Sequence, residues 1–311
     1  MRISVSAWDP GYADTGEGTG RDSQARLELN VEVPMRDWAP VTPSAAAPRR
    51  VLLVDGVRRL DARVDISVDG EPPSPGICAS YAAGVVECVL DGRSRATVPV
   101  TRVERGLFSA VADAGLTAGR TASYAAHRVR ASEPGDLLNA VQDRLTSIEV
   151  EVADAADPAP GDLLVIDGAL RRRTHLARAV GYIKSHQRRY LPDDLGPLID
   201  KLAPGERTPV FVLGTTWRRH TWYLRLPGGG DGSWAGIARL EASADLDIGD
   251  VIDLANSSQA VLPRLASAAH KDPRAPQNLT PIAGLERRLR STLGDPRLLL
   301  RGLRIGSQRP A

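Results

Sequence analysis

The pattern of apolar and polar positions predicts a sheet-rich core that begins at residue 49. Residues 50–58 (RVLLVDGVR) and 162–170 (DLLVIDGAL) are continuous apolar runs that end in Asp-Gly. Such runs are typical of central strands that are buried on both faces. The alternating stretch 63–69 and the run 76–90 follow the first of them after turn residues. Together these segments predict an antiparallel meander of three strands.

A long amphipathic helix is predicted between the two Asp-Gly runs. Pro134 stands in its first turn, where proline is favoured, and the pattern continues to about Ala156. Its apolar positions keep helical spacing: Leu138, Val141, Leu145, Ile148 and Val152. Later strands are predicted at 210–213, 220–226 and 234–240, and later helices at 193–202, 248–269 and 282–293, the last resuming after Pro296. The whole pattern predicts an α/β fold, a mixed sheet with flanking helices.

Residues 1–48 differ from the rest of the chain. A Gly/Asp/Thr-rich opening, a short alternating stretch at 27–33 and a loop follow one another there. We interpret this segment as an N-terminal extension that contributes one strand, and residues 49–311 as the main domain. The chain of 311 residues is 42% hydrophobic and 25% charged, which is ordinary globular composition with enough apolar residues for a sizeable core.

The composition also limits the compartment and the function classes. The sequence contains no apolar run of about 18 residues or more and no apolar segment of a secretion signal, so we expect a cytoplasmic protein without a membrane span. Cys78 and Cys88 are then expected to be reduced thiols in or near the sheet. Zinc-ligand spacing and a G-x-x-x-x-G-K-[ST] loop are both missing, which disfavours a zinc site and ATP hydrolysis. The net charge of +2 neither demands nor excludes nucleic acid.

Asp55 and Asp167 end the two apolar runs and are the first candidates for chemistry. An aspartate at the C-terminal edge of a buried parallel strand lies where open α/β sheets bind ligands. A single Asp-Gly is more often a plain turn, but two matching copies favour a shared site. On neighbouring strands the two carboxylates would converge and need a cation. Such hard oxygen ligands select Mg²⁺ or Mn²⁺, the ions used for phosphodiester hydrolysis.

The predicted helix offers a third acid. Glu149 projects roughly 70° from the centre of the apolar face, and Glu151 roughly 90° on the other side. Glu149 can therefore reach the sheet edge more easily, whereas Glu151 is expected to point to water. The alternative is that both are solvated helix acids.

The order of these features resembles the NurA nucleases, whose core is RNase H-like and related to PIWI domains. It runs from an Asp-Gly strand through a meander, a helix with an inward Glu and a second Asp-Gly strand to residues 181–185 (GYIKS), and the resemblance covers roughly residues 49–300. It implies that Asp55, Glu149 and Asp167 are catalytic metal ligands for Mn²⁺ or Mg²⁺. It also implies a catalytic role for Lys184, which matches the lysine of the family's Gly-hydrophobic-Lys strand.

The chain departs from the family near its C-terminus. Residues 272–283 resemble the start of a family helix with the pattern Pro-x-x-Leu-x-x-Ala, but the histidine that often follows is Gly284 here. His270 is the nearest replacement as a catalytic residue, and Gln277 and Asn278 are the alternatives.

Basic and aromatic residues after the second Asp-Gly are candidates for DNA contacts. Arginines close to a metal site can follow the phosphate backbone, and exposed aromatic rings can stack on bases. Ordinary solvated faces and core packing are the alternatives. The resemblance adds two members from the run 222–226 (WYLRL), which matches the family's aromatic-x-Arg strand. The candidates are Arg171, Arg172, Arg173, Tyr182, Trp217, Tyr223 and Arg225.

The sequence therefore predicts a Mn²⁺- or Mg²⁺-dependent deoxyribonuclease. The resemblance implies single-strand endonuclease and 5′–3′ exonuclease activity in DNA-end processing and repair, a HerA-type hexameric ATPase as partner, and a homodimer. The alternative is a catalytically inactive RNase H-like scaffold that binds DNA or a motor; the missing histidine favours it and the acidic trio opposes it. A sugar-kinase-like phosphotransfer fold would need a nucleotide-binding glycine loop, which the sequence does not offer.

Overall fold

The protein was analysed as a computed structural model. It describes residues 2–5, 25–91, 95–118, 122–130, 133–184, 190–229, 234–268, 270–272 and 275–307. In these residues twelve strands form one mixed sheet, and five α-helices pack against it. The chain is thus an α/β protein with a large mixed sheet, as its pattern predicts.

The strands are β1 (Arg2–Val5), β2 (Arg26–Glu28), β3 (Arg50–Ser67), β4 (Ser74–Val89), β5 (Arg95–Ser109), β6 (Leu116–Ala118), β7 (Ala122–Arg128), β8 (Leu163–Asp167), β9 (Ala179–Ile183), β10 (Phe211–Gly214), β11 (Arg218–Arg225) and β12 (Ile237–Ser243). The α-helices are α1 (Pro134–Ala155), α2 (Gly196–Lys201), α3 (Ile248–Leu265), α4 (Thr280–Thr292) and α5 (Pro296–Gly306). The order of the strands in the sheet is β2-β10-β11-β12-β9-β8-β3-β4-β5-β7-β6, and β1 pairs with β3.

The centre of the sheet contains the two Asp-Gly strands as direct neighbours. β3, β4 and β5 form an antiparallel meander of three strands, but its members differ from the prediction. The segments 50–58 and 63–69 belong to one long strand, β3, and β5 was not predicted. β8 lies parallel to β3 on its other edge, with Val51 opposite Leu163 and Val54 opposite Ile166. β9 continues in parallel beside β8. Helix α1 precedes β8 in the chain, and the parallel pairing of β3 with β8 stops at Val54 and Ile166, so Asp55 and Asp167 are neighbours.

Side-chain alternation assigns the two aspartates to one face of this sheet. Val51 and Leu53 of β3 pack in the core that α3 and α4 cover, as do Leu163 and Val165 of β8. The residues between them pack in a second core beneath α1. Because residues 55 and 167 continue the odd-numbered series on their strands, their carboxylates belong to the face of α3 and α4.

The N-terminal extension pairs with the sheet, and its strand β2 is the outermost strand on the β10 side. This segment contributes two strands where the sequence predicted one: β2 pairs with β10, and β1 pairs with β3. Glu32 accepts two hydrogen bonds from the guanidinium of Arg207, at 2.7 and 2.8 Å, and Arg207 is 1% exposed. The amide of Val41 donates to the carbonyl of Arg207 at 2.9 Å. The extension therefore lies against the same sheet as the main domain.

The predicted helices are found with small shifts at their ends. On α1, Leu137 is fully buried and Leu138 only partly so. α3 ends at Leu265, four residues before the predicted limit, after Pro263 in its last turn. α5 resumes at Pro296 as expected. Both cysteines are buried free thiols on β4. Among the helices described, none has the length and apolar character needed to cross a membrane.

Candidate metal centre

Asp55 and Asp167 lie side by side where the parallel pairing of β3 and β8 ends. Asp167 is the last residue of β8, whereas Asp55 lies within β3, which continues to Ser67 beyond the predicted strand end. A third carboxylate joins them from α4, where Glu286 projects toward the sheet. One ligand oxygen from each of the three residues lies within 4.8 Å of the others. This acidic cluster therefore combines residues of two neighbouring strands and one helix that are distant in sequence but adjacent in the fold.

The Asp55 carboxylate is buried, at 8% exposure, and only half satisfied. Its Oδ1 accepts a hydrogen bond from the amide of Gly56 at 2.8 Å. Its Oδ2 is also buried but has no hydrogen-bond partner among the described residues. Burying an oxygen that bonds to nothing is costly unless another group satisfies it. The unsatisfied oxygen therefore points to an additional ligand of positive charge.

The electrostatics of the cluster agree with that interpretation. Burial raises the pKa of the Asp55 carboxyl well above its usual range, and the negative charge of Asp167 raises this pKa further. The ammonium of Lys184 lowers the pKa of Asp55, while the charge of Glu286 raises it again. Since nearby negative charges disfavour one another, a bound cation would stabilise the ionised form of all three acids.

Lys184 follows β9 and contacts the edge of the acidic cluster. Its Nζ lies 2.5 Å from Asp167 Oδ2 and 3.0 Å from Asn278 Oδ1. Asn278 is fully buried, and its Nδ2 donates to Asp272 Oδ2 at 2.5 Å. The loop before α4 therefore fixes the position of the lysine ammonium.

These residues fit a hard divalent cation. The three cluster ligands are all carboxylates, the donor type that Mg²⁺ and Mn²⁺ prefer over softer metals. The unpartnered Asp55 Oδ2 supplies an independent sign of a missing ligand. Asp55, Asp167 and Glu286 are thus the residues that could hold such an ion.

Glu149 is not part of this cluster, which corrects the expectation that it is the third ligand. Its carboxylate forms a buried ion pair with Arg173, whose Nη2 is the donor. The reason is the face of the sheet: Glu149 lies on α1, in the core opposite α4, whereas the Asp55 carboxylate faces α4. A Cβ added at Gly56 would lie 2.5 Å from Glu149 Oε1, so only a glycine at this position leaves space for the glutamate side chain.

The expected contrast between the two helix acids is nevertheless confirmed. The Glu149 side chain is 6% exposed and that of Glu151 is 36% exposed. Glu151 is partly exposed and forms ion pairs with Arg144, at 3.1 Å, and with Arg102. Burial raises the pKa of Glu149, the Arg173 guanidinium lowers it, and the charge of Asp167 raises it slightly further.

The three arginines after β8 have different environments. Arg171 is exposed, and Arg172 is exposed and paired with Asp143 of α1. Arg173 is buried with Glu149 and donates from Nη1 to the carbonyl of Ala169 at 2.7 Å. A phosphate contact therefore suits Arg171 and Arg172. It does not fit Arg173, because the guanidinium of Arg173 is already paired with Glu149 inside the protein.

Two of the expected stacking residues are core residues. Tyr182 and Tyr223 are fully buried, and the hydroxyl of Tyr182 donates to the carbonyl of Gln277 at 2.7 Å. A base cannot stack on these rings without unpacking the sheet. Trp217 is partly exposed, with the guanidinium of Arg219 over its ring at 4.7 Å.

Arg225 is also engaged within the protein. Its guanidinium donates to the carbonyls of Ala235 and Ile199, at 2.8 and 2.9 Å. These contacts hold the loop before β12 and the helix α2 against β11, so a structural role fits the residue better than a DNA contact.

Glu286, the third acid of the cluster, was not predicted, because the family resemblance indicated a histidine in this part of the chain. His270 is exposed in the loop before α4, and it is not one of the three cluster residues. Glu286 stands two residues after Gly284 and four after the buried Ile282. That helical spacing aligns Glu286 with the buried stripe of α4, and it was the signal in the sequence that could have identified the third acid.

Comparison of the chain with protein-family models gives no match, and comparison with curated proteins gives none either.

Proposed function

We propose that this chain is a Mn²⁺- or Mg²⁺-dependent deoxyribonuclease with an RNase H-like core. The strand arrangement supports the fold assignment: the antiparallel meander β3-β4-β5 is followed by the crossover helix α1 and by β8 and β9, which lie parallel to β3. An RNase H-like core is expected to combine these parts in this way, with acids at the edge where the parallel strands end.

One observation carries the proposed activity. Asp55, Asp167 and Glu286 bring ligand oxygens within 4.8 Å of one another, and the buried Asp55 Oδ2 has no partner among the described residues. A solvated acidic patch would not bury an unsatisfied carboxylate oxygen, because that oxygen could bond to water instead. The combination therefore favours a metal centre over a surface patch.

The chemistry follows from the residues around that centre. When bound, a divalent cation activates water and stabilises charge on the leaving oxygen of a phosphodiester. Asp55, Asp167 and Glu286 hold and orient the ion, and the Lys184 ammonium can neutralise phosphate charge beside them. The exposed Arg171 and Arg172 add contacts to the DNA backbone, which increase affinity without reading sequence.

The partners and the processing role rest on the resemblance to NurA nucleases. A HerA-type hexameric ATPase, a homodimer, a role in DNA-end repair and a cytoplasmic location are parts of the same proposal. Copurification of the chain with such an ATPase, and the mass of the purified chain in solution, would test them separately from the activity.

The activity has a direct test. The purified chain should degrade single-stranded DNA with Mn²⁺ and be silent in EDTA, and Asp55→Asn and Asp167→Asn should each abolish cutting in a folded protein. Asp69→Asn, which changes an exposed acid in the turn between β3 and β4, is the matched control and should cut normally. Robust cleavage in chelator, or cleavage with zinc alone, would contradict the assignment.

An inactive scaffold is a second candidate, and one contact favours it. The ammonium of Lys184 lies 2.5 Å from Asp167 Oδ2, so part of the acidic charge is neutralised without any metal. A scaffold would bind DNA equally well with and without Mn²⁺ and would leave it intact. The same assay with intact substrate and retained binding would favour this candidate.

A further inference from the structure

The acidic cluster and Lys184 together determine how many cations the centre can hold. Carboxylate sites that hydrolyse phosphodiesters often bind a pair of metal ions about 3.5–4 Å apart, with ligands between them. Whether a second ion binds depends on the charge and the oxygen atoms that the protein leaves for it. In this chain an ammonium already lies at the cluster.

Asp167 contacts both parts of the arrangement. It belongs to the acidic cluster with Asp55 and Glu286, and its Oδ2 lies 2.5 Å from Lys184 Nζ. The same ammonium contacts Asn278 Oδ1 at 3.0 Å. A carboxylate oxygen and an amide oxygen therefore converge on the lysine in the way that oxygen ligands converge on a hard cation.

The lysine is held in place and does not lie free on the surface. Asn278 is fully buried, and its amide group is oriented by the bond to Asp272 Oδ2 at 2.5 Å. Tyr182, two residues earlier on the same face of β9, donates to the carbonyl of Gln277 at 2.7 Å. These contacts fix the loop before α4 and the strand β9, and the protein therefore holds the Lys184 ammonium in a defined position.

We propose that Lys184 takes the place of a second divalent cation, so that the centre binds a single metal ion. This inference rests on the metal-dependent function proposed above. The ammonium of Lys184 already offsets part of the negative charge of the cluster, at the oxygen of Asp167 that a second ion would need. Glu149, the other buried acid near Asp167, is already balanced by Arg173. A second divalent ion would meet the lysine charge at the oxygens it needs.

The number of bound ions tests this inference without any assay of activity. Mn²⁺ titrated into the metal-free chain, followed by calorimetry and by electron paramagnetic resonance, should bind as one ion per chain, and Asp167→Asn should lose it. Lys184→Met should bind two ions, because Asp167 Oδ2 and Asn278 Oδ1 then lose the ammonium that both contact. Lys201→Met, which removes an exposed lysine at the end of α2, is the matched control and should keep one.

Each result of the titration decides the matter. Two ions in the wild-type chain, or a single ion in a folded Lys184→Met variant, would overturn the inference. If that variant does not fold, Lys184→Gln replaces it, and the wild-type count is still decisive. One bound ion without DNA cleavage would contradict the proposed nuclease activity but not the inference of a single ion. Two bound ions with cleavage would contradict the inference but not the nuclease activity. No bound ion would refute both.

Discussion

Arg173 and Glu149 form a buried ion pair beneath the neighbouring segments of β3 and β8 that carry the acidic cluster. Glu149 fills the space beside Gly56, the residue after Asp55, and Arg173 holds the carbonyl of Ala169 at 2.7 Å, two residues after Asp167. The pair thus contacts the chain immediately after each aspartate, from the opposite face of the sheet.

Breaking this pair should destabilise the protein strongly. Arg173→Met leaves the Glu149 carboxylate buried without a partner, and such a loss typically costs about 3–5 kcal/mol. Arg172→Met breaks the exposed pair with Asp143 and should cost at most about 1 kcal/mol. Urea unfolding of both variants measures the difference, and equal losses would show that the buried pair contributes no more than its surface counterpart.

Glu286 should matter more for metal binding than either glutamate of α1. Glu286→Gln removes one of the three cluster carboxylates and should weaken Mn²⁺ binding by about tenfold or more, with a matching loss of cutting. Glu151→Gln changes only the ion pairs with Arg102 and Arg144, outside the cluster, and should bind Mn²⁺ like the wild type. Mn²⁺ titration of the two variants checks this ranking. A normal affinity in Glu286→Gln would remove α4 from the centre.

The raised pKa of Asp55 predicts how stability depends on pH without metal. Because this pKa lies above that of an unfolded aspartate, the folded chain holds the proton more tightly. The resulting stabilisation is fully present below the unfolded pKa and is lost as pH rises through the raised pKa, by about 1.4 kcal/mol for each unit of difference.

Asp55→Asn should remove this part of the pH dependence. In EDTA the variant should lose less stability than the wild type between acid and neutral pH, and added Mn²⁺ should stabilise only the wild type. Melting temperatures across that range measure both effects, with Asp143→Asn as the exposed control. A variant that melts earlier than the wild type at neutral pH in EDTA would instead make Asp55 a structural turn residue.

The sequence was sufficient to locate Asp55 and Asp167, because both depend on local signals. A continuous apolar run predicts a central strand, and the two matching runs indicated that their aspartates lie close together. The strand end was predicted correctly for Asp167 but not for Asp55, because β3 continues to Ser67. Glu286 depends on packing between α4 and β3, which are more than two hundred residues apart in the chain. Only the helical spacing from Ile282 indicated that it turns inward.

The assignment of Glu149 failed for a related physical reason. Helical periodicity correctly predicted that it is buried, but it does not tell which face of the sheet the helix covers. β3 and β8 are apolar on both faces, so their sequences lack the alternation that would have shown which way Asp55 points. Tyr182 and Tyr223 also lie on strands that are buried on both faces. This explains why these two candidates for base stacking are core residues, which was the alternative interpretation.

The DNA contact has to be sought at the exposed arginines that remain. Arg171 follows Asp167 by four residues and is exposed, so Arg171→Ala should lower DNA affinity for all sequences equally. The slope of log affinity against log salt should flatten by about one unit for the lost phosphate contact. Arg36→Ala, which removes an exposed arginine of the N-terminal extension, is the matched control. Fluorescence anisotropy on single-stranded DNA, with Mn²⁺ omitted to prevent cutting, measures both slopes. An unchanged slope for Arg171→Ala would mean that the DNA backbone follows another surface of the protein.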